Sequence, residues 1–159
     1  MLRPLMADND ELELRESKTW ENLRSAFASA CMDAARYGWF ATRADLEGEL
    51  ELAALFRAAA QSEAQQSQGH LDFLREVGDP QTRAPIGTSE QNLKAAINRA
   101  TYETETLWTG FGRTAREEGF DAVADWFEAL VRAGRRRLEL LQNARRGSGV
   151  SLEESAEVD

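Results

Sequence analysis

Asn22-Leu23-Arg24-Ser25-Ala26 returns in the second half of the chain as Asn92-Leu93-Lys94-Ala95-Ala96, and similar punctuation follows each copy. Gly48 lies 26 residues after Asn22, and Gly119 lies 27 after Asn92. Phe56 and Phe127 each follow their glycine by eight. A glycine after a long run of helix formers suits the position just past a helix end, where φ is positive. Each half therefore reads as two long helices joined at a glycine, with expected spans 19–46, 49–77, 89–117 and 120–145. The prolines stand only at 4, 80 and 85. Asp79-Pro80 and Ala84-Pro85-Ile86-Gly87 set one loop at 78–88, and Thr88-x-x-Gln91 reads as a capping box opening the third helix. The fold class that follows is all-α, a four-helix bundle of two helical hairpins with a 78–88 crossover loop.

The apolar spacing supports four core-facing stripes at alternating steps of three and four. The first runs Trp20, Leu23, Phe27, Ala30, Ala34, Tyr37, Ala41. The second runs Leu52, Phe56, Ala59, Glu63, Gln66, His70, Phe73, Val77. The third is Leu93, Ile97, Ala100, Glu103 or Thr104, Leu107, Phe111. The fourth is Val123, Phe127, Leu130, Gly134, Arg137, Leu141. The ends of these stripes are apolar and the middle is not. Glu63, Gln66, His70, Glu103 and Arg137 fall on core positions, beside the small residues Ala30, Ala100 and Gly134. The repeat pairs Ala30 with Ala100, Asp33 with Glu103, Glu63 with Gly134 and Gln66 with Arg137. Buried charge is costly unless paired, so these groups should meet each other, water or an ion.

Composition narrows the function classes. The chain has 159 residues, 42% hydrophobic and 30% charged, which suits a single soluble domain with short tails. Residues 1–18 read as a flexible N-terminal segment, 19–146 as the bundle and 147–159 as an acidic disordered tail. A net charge of −9 argues against nucleic acid as a partner. No apolar run is long enough for membrane insertion, and the first six residues are too short for a signal core. The expected location is the cytoplasm of a bacterial-type cell. One cysteine, Cys31, excludes a disulfide framework and a CxxC iron site; it is expected to be a buried, inert thiol. Arg135-Arg136-Arg137 point three ways on a helix and form no single patch. Of the adjacent Trp39 and Phe40, one should point outward.

Thr101-Tyr102-Glu103, Thr114-Ala115-Arg116-Glu117-Glu118-Gly119-Phe120, Ala124-Asp125-Trp126-Phe127-Glu128, Gly69-His70-Leu71-Asp72-Phe73-Leu74 and Glu76-Val77-Gly78-Asp79-Pro80 together resemble the rubrerythrin family of the ferritin-like superfamily. The resemblance covers about residues 19–141. It implies a di-iron centre with a glutamate from the first and third helices, an E-x-x-H pair from the second and fourth, and an extra glutamate from the third. The corresponding positions here are Ala30, Glu63, Gln66, Ala100, Glu103, Gly134 and Arg137. Only Glu63 and Glu103 keep a ligating residue, so five of the seven positions are non-ligating. Alanine and glycine carry no donor, and arginine keeps its proton. The family's usual rubredoxin domain is also missing from this sequence.

The expectation is therefore a rubrerythrin-like pseudoenzyme with a lost di-iron site, no catalytic or cofactor-binding residues and no metal. Its work would be non-catalytic, as a structural, regulatory or accessory partner of another protein. An Arg137 salt bridge to Glu63, Glu103 or both would occupy the old site; in a dry cluster, losing it would cost roughly 3–5 kcal/mol. The alternative is a divergent metal-binding oxidoreductase in oxidative-stress defence or iron handling. It would hold one iron, manganese or zinc ion on the remnant candidates Glu63 and Glu103, with His70 or Asp33 helping. A third reading places a small ligand in space left by Ala30, Ala100 and Gly134. The loop adds a geometric point. A 28-residue helix is about 42 Å long, while ten loop residues span at most about 33–36 Å. Exchange of hairpins in a swapped homodimer relieves that mismatch, and the resemblance implies dimers too; fraying of the helix ends, which lets a monomeric bundle close, is the alternative.

Overall fold

The computed structural model describes Leu14 and residues 17–147. The sequence expectations for the remaining residues of the N-terminal segment and for the acidic tail lie outside the described residues. The chain divides into two compact helical units, up to Pro85 and from Ile86. No strand occurs among the described residues.

The first unit is a hairpin of α1 (Lys18–Glu47) and α2 (Leu50–Leu74). Ser17 opens α1, its hydroxyl oxygen accepting the Trp20 N–H at 3.2 Å. This meets one of the donors left unpaired at a helix start. Gly48 closes α1 at φ 82°, and its N–H returns to the carbonyls of Ala44 and Asp45. Across the turn the Arg57 guanidinium donates to Asp45 Oδ2 at 2.7 Å. The seam is thin because small residues line it: Ala30, Ala41, Ala44 and Ala53 are all buried. Two clusters thicken it. Tyr37, Phe40 and Phe56 pack ring against ring, with centroids 5.5–6.4 Å apart. Leu14, Trp20, Leu74 and Val77 form a core with Leu23, Phe27 and Leu71 against it. Each fully buried side chain of this size contributes roughly 1.5–3 kcal/mol.

α2 ends at Leu74, three residues before the expected Val77. The chain then folds on itself. The Asp79 N–H donates to the Ala84 carbonyl at 2.8 Å and the Arg83 N–H to the Asp79 carbonyl at 2.7 Å. The Asp79 carboxylate accepts the Gln81 N–H and the Thr82 hydroxyl. Gly78 sits at φ 130°, and a Cβ there would stand 2.6 Å from the Arg83 carbonyl oxygen. Residues 78–84 thus form a closed loop within the expected 78–88 loop.

The second unit pairs α3 (Ser89–Tyr102), a π-helical turn (Glu103–Leu107) and α4 (Trp108–Glu117) with α5 (Asp121–Gly147). The capping box is present as expected: Thr88 Oγ1 accepts the Gln91 N–H, and Gln91 Oε1 accepts the Thr88 N–H. Gly119, at φ 83°, makes the turn into α5. Gly112 packs close to Phe127, with a Cβ–Cβ approach of 3.4 Å were a Cβ present, and Ala115 and Ala124 are buried beside it. The expected third helix is thus one rod with a π turn inside it.

Candidate functional site

The sequence-predicted positions fall into two sets, one per unit. In the first unit Ala30 is buried, Glu63 and His70 are half-buried and Gln66 is exposed. Gln66 donates weakly to the Ser62 hydroxyl at 3.4 Å. Asp33 is taken by Arg36 at 2.6 Å, one turn along α1. Among the described residues, no side-chain hydrogen bond or ion pair within this unit engages Glu63 or His70. Cys31 is exposed, a correction to the expected buried thiol. It lies one residue, about 100° of helix, past Ala30, which turns it off the seam.

The second unit gathers its set more closely. Glu103 starts the π turn, where the Trp108 N–H reaches back five residues to the Glu103 carbonyl. Arg99 Nε donates to Glu103 Oε1 at 2.8 Å. Arg137 Nη2 lies 3.8 Å from Glu103 Oε2. Its guanidinium also stands over the Trp108 ring, 5.8 Å from the centroid. The Glu103–Arg137 pair of the sequence expectation is therefore present, but the Arg137 side chain is 55% exposed against 18% for Glu103. This is not a dry cluster. Arg99 is the closer partner, and it was missed because its i,i+4 spacing looks like an ordinary surface pair.

What fills the waist in this unit is Thr104 and Trp108. Thr104 is 1% exposed, and its hydroxyl donates to the Ala100 carbonyl. A Cβ built on Gly134 would stand 3.1 Å from both Thr104 Oγ1 and Trp108 Cζ3. The space beside Gly134 is closed by side chains, so the third reading, a ligand cavity there, is not what this unit offers. The π turn makes this possible. One extra residue per turn lets Ala100, Thr104, Trp108 and Gly112 follow one another at steps of four toward α5. The signal in the sequence was a run of threonines, 101, 104, 106 and 109. Hydroxyls of Thr101, Thr104 and Thr109 bond back to the carbonyls of Ile97, Ala100 and Thr104. Such bonds compete with the regular ladder inside a helix, and π turns recur at functional positions.

A two-metal centre asks for several carboxylate and imidazole donors converging on one space. In the second unit the donors do not fit. Ala100 and Gly134 carry none, Glu103 is engaged by two guanidiniums, and Arg137 brings a permanent positive charge. Among the described residues no group of three or more His, Cys, Asp or Glu is gathered so as to hold a metal ion.

Beside the waist, a second cluster went unnoticed in the sequence. Arg116 on α4 bonds Glu128 at 2.6 Å, Asp125 at 2.9 Å and Asp121 at 3.2 Å. Glu128 and then Asp125 raise its already high pKa further. Arg116, Asp125 and Glu128 fall in 114–120 and 124–128, two of the segments quoted for the resemblance, and Asp121 lies between them. They hold α4 to the first two turns of α5. No helix among the described residues is long and apolar enough to cross a membrane.

Comparison with known proteins agrees with the fold. The family model described as rubrerythrin matches residues 21–144. Rubrerythrin of Porphyromonas gingivalis is 32% identical over 143 residues, covering 85% of this chain and 72% of that one. Rubrerythrin-1 of Clostridium acetobutylicum is 30% identical over 126 residues, 74% of this chain and 65% of that one. Rubrerythrin of Nitratidesulfovibrio vulgaris is 29% identical over 152 residues, 90% and 78% respectively.

Proposed function

The chain belongs to the rubrerythrin family, and from that premise we propose that it is a member without a di-iron centre, working non-catalytically as an accessory or regulatory partner of another protein. The observation that carries the reading is the packing at Gly134. At the position the resemblance assigns to a glutamate ligand, Thr104 and Trp108 already occupy the space a side chain would need. Arg137 supports it from the neighbouring ligand position: its charge repels a cation and draws on the one third-helix carboxylate that remains, Glu103. Filling by protein atoms and replacement of donors by a cation act in the same direction. Both oppose a metal and both stabilise the empty fold.

The protein is proposed to be a homodimer, with exchange of hairpins between the copies as one form of it. Large apolar side chains left exposed, among them Trp39 and Leu55 in the first unit and Val123 in the second, are further reason for a partner surface.

The test is peroxide turnover. The protein is loaded anaerobically with ferrous ion, freed of unbound iron, and given hydrogen peroxide with a reductant. The reading expects peroxide consumption no faster than a metal-free blank. Consumption above the blank that falls when Glu63 or Glu103 is changed to alanine would overturn it.

A further inference from the structure

α1 carries two apolar stripes on opposite faces. One is packed: Ala30, Ala41 and Ala44 are buried in the seam. The other runs Ala28, Met32, Ala35, Trp39, Thr42, Leu46, half a turn around the helix, and all six are exposed. The large ones stand far out, Met32 at 62%, Trp39 at 63% and Leu46 at 72% exposure. A helix packed on one side ordinarily shows a polar outer face. Here steps of four and three repeat from 28 to 46, about 27 Å of helix, which is the spacing of a coiled-coil seam. Small and large residues alternate strictly along it. Thr42 serves as a small one, because its hydroxyl is spent on the Gly38 carbonyl at 3.1 Å. The charges beside the stripe are matched on α1 itself, Arg36 with Asp33 at 2.6 Å and Arg43 with Glu47 at 3.9 Å. The face is thus neutral on a chain of net charge −9.

We propose that this outer face of α1 docks a second copy of the chain, α1 against α1 in antiparallel order about a two-fold axis. This interface presupposes the proposed homodimer and locates it. The alternation of sizes selects the occupant. With the axis at the level of residue 37, Ala28 falls opposite Leu46 of the second copy, Met32 opposite Thr42 and Ala35 opposite Trp39, and the two-fold repeats each pairing. Every large side chain then meets a small one. The stripe is complementary to itself, as an isologous interface requires. A parallel pairing in register would instead set Trp39 on Trp39 and Ala35 on Ala35. Arg36 comes near its own image at the axis, where each guanidinium keeps its own Asp33. Neutrality favours this face over acidic ones, since two copies of charge −9 repel each other elsewhere. Trp39, next to the axis, is the central anchor.

Sedimentation equilibrium of the full chain reads the dimer. Trp39→Glu and, separately, Ala35→Glu should each raise its dissociation constant at least about a hundredfold. Helix content by circular dichroism should not change, since both positions are exposed. Trp126→Glu, on the second unit and 62% exposed, should leave the constant as it is. Cross-linking reads the order of the helices. In a Cys31→Ser background a short bismaleimide should join two copies of Ala35→Cys, about 6 Å apart along the axis, and not of Ser25→Cys, about 36 Å apart. A monomeric wild type would overturn the homodimer and this interface with it. A dimer whose constant both α1 substitutions leave unchanged, or one that links through position 25 and not 35, would leave the homodimer standing and overturn the interface.

Discussion

Gly134→Ala isolates the packing on which the functional reading rests. Glycine inside a helix costs about 0.8–1 kcal/mol relative to alanine, so propensity alone predicts a more stable protein. The site opposes that gain. The new Cβ would stand 3.1 Å from Thr104 Oγ1 and 3.1 Å from Trp108 Cζ3, with Thr104 Cγ2 at 3.5 Å. Contacts between heavy atoms are most favourable at about 3.5–4.0 Å, so the neighbours must give by several tenths of an ångström. Thr104 is 1% exposed and hydrogen-bonded to Ala100, which leaves it little room. Overpacking of this kind costs about 1–3 kcal/mol. The net expectation is a loss of about 1 kcal/mol. Gly38 and Gly69 are helical glycines with nothing within 4 Å of a built Cβ. Their alanine variants should gain about 0.5–1 kcal/mol. Urea unfolding of the three variants reads the contrast, and the Gly134 penalty should shrink by at least about 0.5 kcal/mol in a Thr104→Ala background. Were Gly134→Ala stabilised as much as the other two, the space would be open and the reasoning wrong.

Three further outcomes are expected. Arg137→Ala should cost about 1 kcal/mol or less in urea unfolding, because its side chain is 55% exposed and exposed ion pairs contribute little; a loss above about 3 kcal/mol would restore the dry cluster. Gly78→Ala should destabilise by about 2 kcal/mol or more, since φ 130° and a carbonyl oxygen at 2.6 Å from the Cβ both oppose it; a neutral result in thermal unfolding would refute the closed loop. Thr88→Ala should cost about 1 kcal/mol through loss of the capping box, with faster amide exchange over the first turn of α3 as its local sign.

The helical hairpins were legible because their signals are local. Gly48 and Gly119 mark left-handed turns and Thr88 with Gln91 marks a cap, and each depends on a few neighbouring residues. The first stripe, from Trp20 to Ala41, lies buried or half-buried throughout. The second is offset: Leu52 and Phe73 are exposed while Ala53 and Leu74 are buried, so the face that α2 turns to α1 lies one residue past the expected stripe at both ends. Trp39 takes the outward place beside Phe40, as adjacency required. The π turn was hidden because it rests on where hydroxyls of Thr104 and Thr109 point, and spacing does not encode that. Of the waist, Glu103 with Arg137 was foreseen in identity and not in exposure. Filling by Thr104 and Trp108 was not foreseen, since it follows from the extra residue in the turn.

The central claim is that protein atoms, not metal ions, occupy the waist of this rubrerythrin-family chain. Metal analysis tests it most directly, on protein purified without chelator after growth with added iron, manganese and zinc. Structural and catalytic metal sites retain their ions at close to whole equivalents, and this account predicts less than about a tenth of an equivalent of each metal. Two equivalents of iron or manganese per chain, lost when Glu63 or Glu103 is replaced, would contradict it.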